Sequence, residues 1–314
     1  MHPAYSVIIF TCASGAGLGL LICLAGLILW HGALPSTGFA WIGFALALGL
    51  TVAGLLSSTL HLGRPERAML AFSQWRTSWL SREGVAAVAT LTAAGLLALL
   101  AVLDAPAFLQ RFVALPTIVC TAATIWCTGM IYATLTTIRA WNMQLVPWIY
   151  LALALASGAV LQLLLYAAFG YKGTILPWIA LALVAAAGLM KLAYWRRIDN
   201  APRTSTAGTA TGLSKLGTVR VLEAPHTQAN FIMREMGYEV ARKHALKLRQ
   251  IALLLAFGAP LLLLLISLLL APGAAILWLS LATLAMAAGL LIERWLFFAE
   301  AQHVVTLFYG AERA

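Results

Sequence analysis

Residues 40–67 read AWIGFALALGLTVAGLLSSTLHLGRPER. Up to Leu60 the stretch carries no Lys, Arg, Asp or Glu; then His61, Arg64, Glu66 and Arg67 arrive within seven positions. An apolar run of this length crosses the roughly 30 Å hydrocarbon core of a bilayer when it is helical. A strand of a membrane barrel would alternate apolar and polar residues, and this run does not. With no water to satisfy it, the backbone has to bond within itself as an α-helix. Pro65 disfavours the α region for Arg64, so the helix is expected to stop there.

Similar runs recur along the 314 residues, of which 62% are hydrophobic and 10% charged. A soluble domain carries about a quarter charged residues. The chain therefore reads as a single membrane domain over residues 1–314, an all-α polytopic integral membrane bundle of eight transmembrane helices. Their expected extents are about 5–30, 40–62, 82–103, 112–138, 147–168, 174–195, 246–270 and 274–298, punctuated by turn residues such as Pro35, Pro106, Pro147, Gly170 and Pro272. Residues 196–245 form a long loop and 299–314 a tail. The N-terminus, MHPAYSVIIF, lacks the basic segment of a cleaved signal, and its apolar run is long enough to remain as a span.

Eight spans put both termini and the loops after spans two, four and six on one side. That side carries 18 of the 20 basic residues, and the other keeps Arg111 and Lys172. Without the long loop the ratio is still 7 to 2. By the positive-inside rule the basic side is cytoplasmic, in a bacterial inner membrane. The net charge of +10 follows from these loops, and nucleic acid is not an expected partner. The first half of the long loop is small and polar and reads as irregular; its second half, ANFIMREMGYEVARKHALKLRQ, reads as a helix leading into span seven. Its Arg242, Lys243 and Arg249 either anchor the span at lipid headgroups or meet an acidic partner surface.

Ionisable residues in or beside spans are the candidates for chemistry. His61 is either an interfacial helix end or a proton carrier near neutral pH. Glu83, across the short loop, is either a counter-ion for Arg82 or Arg64 or a proton-exchanging carboxyl. Both functional readings suit a quinone, whose carbonyls gain or lose protons with electrons. Arg64 and Arg67 flank Glu66 in a local charge network. Trp75 and Trp79 suit an interfacial aromatic belt. Tyr132 is a packing residue or a further site hydroxyl, and Glu293 and Arg294 close span eight. No histidine lies mid-membrane, which disfavours haem. Cys12, Cys23, Cys120 and Cys127 form no Cys-x-x-Cys or zinc pattern, so no iron–sulfur cluster or metal is expected in this chain. A secondary transporter would want polar groups at the midplane rather than at one face; a purely structural anchor is the other alternative.

STLHLGRPERA with WRTSWLSREG at Trp75–Gly84, MIYATLTTIRAW at Met130–Trp141, VARKHALKLR at Val240–Arg249 and ERWLFFAEAQHVV at Glu293–Val305 resemble the membrane anchor subunits of dimethyl sulfoxide reductase, within the wider polysulfide-reductase-type group. The resemblance spans nearly the whole chain. It implies a three-part complex: a molybdopterin catalytic subunit, a four-cluster ferredoxin-like iron–sulfur subunit, and a haem-free anchor exchanging electrons with ubiquinone or menaquinone. The family's quinol-associated histidine falls on His61 and its acidic residue on Glu83. The expected quinone and proton-transfer residues are then His61, Glu83, Arg64, Tyr132 and Arg82; the expected docking residues are Arg67, Arg76, Arg242, Lys243 and Arg249. Cytoplasmic partners would fit the branch similar to sulfite dehydrogenases, which reduce quinone, better than a periplasmic terminal reductase that oxidises menaquinol.

Overall fold

The computed structural model describes residues 3–61, 64–201, 205–220, 222–223, 228, 240–309 and 311; of His61, Pro65 and residues 240–243 the backbone alone is described. The described residues are all-helical, with no strand. Eight helices are long and apolar enough to cross a membrane. The first six are α1 (Tyr5–His31), α2 (Thr37–Ser57), α3 (Trp79–Val102), α4 (Ala107–Ala133), α5 (Leu145–Ala168) and α6 (Leu176–Asn200). After the short α7 (Ala207–Thr211), span seven is composite. It joins α8 (Val240–Leu253), a π-helical turn (Leu254–Gly258) and α9 (Ala259–Leu268). The wide turn precedes Pro260, which has no N–H to give to the helical ladder. Span eight is α10 (Pro272–Ala299).

Two spans form the centre. Span five is 67% buried within the bundle and span one 56%, against 44% or less for the others. Helix α1 touches α2, α4, α5 and α10. It crosses α5 where Gly19 meets Ala154 and Gly158 faces the Gly19 backbone; a methyl on either glycine would overlap the opposing main chain. In lipid, where apolar side chains gain nothing by leaving the hydrocarbon, such small-residue contact is what lets helices bind. Large apolar residues such as Leu60, Phe112, Leu189 and Leu269 are exposed on the outside, as a lipid-facing surface requires.

Several ends differ from the sequence expectation. Helix α2 stops at Ser57 because hydroxyls turn back on the chain. Ser58 Oγ donates to Leu55 O and Thr59 Oγ1 to Leu56 O, each at 2.7 Å, and residues Ser58–His61 tighten into a 3-10 turn. Helix α4 ends at Ala133 rather than near 138. The following loop is latched beneath the bundle by Trp141 Nε1 donating to Phe297 O at 2.8 Å and Tyr194 Oη donating to Ala140 O at 3.0 Å. Helix α6 continues to Asn200 rather than ending near 195.

Candidate quinone-site geometry and a buried ionic network

The residues flanking the first loop separate into outward and inward groups. Arg64, with φ −144° and ψ 80° before Pro65, is exposed, and its carbonyl accepts from Arg67 N at 3.1 Å. Glu66 and Arg67 are exposed, and among the described residues Glu66 pairs with neither arginine, so the expected charge network is not formed. Arg82 turns back over the loop: Nε donates to Trp75 O at 3.0 Å, Nη2 to Arg76 O at 2.7 Å, and its guanidinium lies 4.3 Å from the centre of the Trp79 ring. Trp79 is thus a stacking partner for a cation. Arg76 lies over Trp75 at 5.4 Å.

Glu83 points the other way. It is 6% exposed, one turn inside α3, and the Thr128 hydroxyl of α4 donates to its Oε1. Further along the same helix pair, Thr90 and Thr124 hydroxyls meet at 2.9 Å. No ion pair of the described residues involves Glu83, so it is not a counter-ion for Arg82 or Arg64. The 3-10 turn delivers the backbone of His61 to the end of span two; its side chain, like those of Arg242 and Lys243, lies outside the described part.

Tyr132 belongs to an aromatic cluster. It stacks on Tyr150 with centroids 5.8 Å apart and meets Trp141, Phe297 and Phe298 edge-on at 5.3–5.5 Å. It lies one ring away from a feature the sequence reading missed. Glu293 and Arg294 are buried at 0% and 3% exposure. Glu293 takes both Nε and Nη2 of Arg294, the latter at 2.9 Å, and also pairs with the ammonium of Lys191, which is itself fully buried. Aromatic faces close the network: Lys191 Nζ lies 4.0 Å from the Tyr194 ring centre and 4.8 Å from Trp195, and Arg294 lies 4.4 Å from Tyr150. Lys191, near the end of the expected span 174–195 and counted from sequence with the basic side, is therefore an internal residue. The available signal was an isolated cation in GLMKLAYW and an acid–base pair in LLIERWLFF, both within apolar runs.

Arg249 is also occupied within the chain. Its Nε and Nη2 bridge the Glu300 carboxylate at 2.8 and 3.0 Å, and its Nη1 reaches Asp199 Oδ2 at 2.8 Å. It ties α8 to the end of α6 and to the turn after α10 instead of facing outward. Beyond that turn, outside the spans, His303 Nδ1 accepts from Val305 N at 3.0 Å, and partial burial lowers the pKa of its imidazole below the ordinary 6.5.

The chain is similar to the C subunit of the sulfite dehydrogenase of Allochromatium vinosum, 36% identical over 338 aligned positions that cover 98% of this chain and 99% of that protein. Residues 1–311 match the family described as DMSO reductase anchor subunit (DmsC). The protein is a multi-pass integral membrane protein and belongs to the DMSO reductase anchor subunit family.

Proposed function

We propose that the chain is the quinone-reactive membrane subunit of a molybdoenzyme complex. Two electrons from iron–sulfur clusters on a partner subunit, together with two protons, convert a quinone to quinol at a site that includes Glu83 and His61. Electrons reach the clusters from a molybdopterin subunit, which performs the substrate chemistry. The observation that carries this reading is Glu83: a carboxyl in the buried part of a membrane helix, hydrogen-bonded to Thr128 and paired with no cation among the described residues, one turn from the loop side. An uncompensated acid in that setting is costly to keep unless it handles protons. The similarity to a sulfite dehydrogenase subunit supports quinone reduction as the working direction, and the excess of basic residues supports a cytoplasmic face for the partners.

The test uses the intact complex in membranes. Glu83→Gln and His61→Ala are each expected to lower quinone-linked turnover by roughly 10²-fold or more, the usual effect of losing a positioned proton-transfer group. Normal turnover with normal quinone-site inhibitor binding in both variants would overturn the assignment. The family description names DMSO reductase, so the second reading is the reverse direction, with menaquinol as the proposed electron donor for dimethyl sulfoxide reduction. Supplying sulfite with oxidised quinone, and dimethyl sulfoxide with menaquinol, separates the two.

A further inference from the structure

Two pockets meet between the helices, the larger opening toward the lipid-facing surface. One is small, about 30 Å³, lined by α1, α4, α5 and α10, with Thr11, Ser14, Thr128, Tyr150 and Arg294 among its walls. The other is an apolar cleft of about 460 Å³ between α1, α2, α5 and α10. Cys12, Ala16, Ser157 and Leu290 belong to both, so the cleft runs directly into the polar cavity. Its volume is that of a small-molecule pocket, whereas the polar end alone holds roughly two waters.

The polar end has a defined unmet need. Thr11, Ser14 and Ser157 give their hydroxyl protons to carbonyls of their own helices, and Thr128 gives its own to Glu83. The Tyr150 hydroxyl is buried and has no acceptor among the described residues. The ligand end that belongs here is therefore a hydrogen-bond acceptor. Arg294 stands on the same wall, in a network of two cations and one carboxylate, so the local field favours an oxygen that gains negative charge. A carbonyl at one end and a long hydrocarbon at the other describe a prenylated quinone.

We infer that this composite cleft is the quinone-binding site: the ring lies where the two cavities join, one carbonyl accepts from Tyr150 beside Arg294, and the isoprenoid tail fills the apolar cleft. This rests on the quinone reading above and adds a place for the ligand. Thr128 then joins the ring to Glu83, giving the head group its route to a proton.

Quinone binding by the detergent-solubilised complex tests it, measured with a prenylated quinone and with the same ring bearing a methyl in place of the tail. Tyr150→Phe is expected to weaken both ligands about fivefold, the value of one lost hydrogen bond. Ala287→Phe, which fills the apolar cleft from α10, is expected to weaken the prenylated ligand about tenfold and spare the short one. Should that variant fail to assemble, Ala13→Leu blocks the cleft from α1. Wild-type affinities in both Tyr150→Phe and the cleft variant would place the quinone elsewhere while leaving the quinone function intact. Co-purified phospholipid that a saturating prenylated quinone does not displace from the cleft would make it a lipid site and overturn the inference. A wild-type complex that binds neither ligand would overturn the quinone reading itself.

Discussion

Removing the carboxylate from the Lys191–Glu293–Arg294 network should be far more damaging than removing either of its ends. Glu293→Gln leaves two fully or nearly fully buried cations facing one neutral amide, with no other acid paired to them among the described residues. Stranding one buried charge costs about 3–5 kcal/mol, and mutual repulsion of the second adds to that. Lys191→Met is different. It keeps the two-point Glu293–Arg294 pair and the side-chain volume, and it loses cation–π contacts with Tyr194 and Trp195, worth about 1–2 kcal/mol. It also releases one ion from desolvation, so its net effect should be about 1 kcal/mol or less. The gap between the variants is then about 3 kcal/mol. Denaturant titration of the chain in mixed micelles measures it. Repeating Glu293→Gln in a Lys191→Met background should show a smaller loss, since only one cation is then stranded. Equal losses for Glu293→Gln and Lys191→Met, or additivity in the double variant, would refute the electrostatic account.

Three further outcomes follow from other contacts. Gly158→Val should prevent α1 and α5 from docking, reducing folded chain in the membrane several-fold by protease protection, whereas Gly26→Ala, with open space around it, should leave the level unchanged. Arg249→Lys should destabilise the α8 attachment by about 1–2 kcal/mol despite keeping the charge, because an ammonium cannot span Glu300 and Asp199 in the same fork; faster amide exchange in residues 244–253 would register it. Because burial holds the His303 imidazole below 6.5, the unfolded chain takes up the proton first as pH falls, so the turn Val304–Tyr309 should lose stability on acidification below about 6.5 and stay unchanged above it. Exchange of the Val305 amide against pH reads this directly, and His303→Asn should flatten the profile.

The eight spans were legible because each is a long apolar run whose only folded solution in lipid is a helix. Their ends were less so. Ser57, Ser58 and Thr59 look like continuing helix by hydropathy, yet Ser58 and Thr59 bond backward onto α2 while Ser57 donates across to Ser6 O of α1, and α2 closes early. Arg196, Arg197 and Asp199 look like loop by charge, yet α6 simply outruns its apolar stretch and ends at Asn200. Glu83 stood out as an acid at the head of a span, but its partner Thr128 lies 45 positions away and is one of many threonines on α4. Tyr150 and Arg294 gave no sign of sharing a cavity, because that adjacency depends on the packing of α1, α5 and α10 rather than on any local pattern. Arg249, grouped from sequence with the docking residues, has its direction fixed by Asp199 and Glu300 from two other segments.

The central position of α1 bears on how the protein is made. This helix is made before its partners, and two of them, α5 and α10, are synthesised much later. Until then its glycine face must rest against lipid. That wait is tolerable, since its backbone is already hydrogen-bonded within the helix and small residues expose nothing polar to hydrocarbon. The same face is an open seat for the wrong helix, so early pairing with α2 and α4 serves to hold α1 upright and in register until α5 arrives. A nascent chain halted after α4 would therefore carry a complete half-bundle with an unfilled seam, the form in which quality-control proteases would find it.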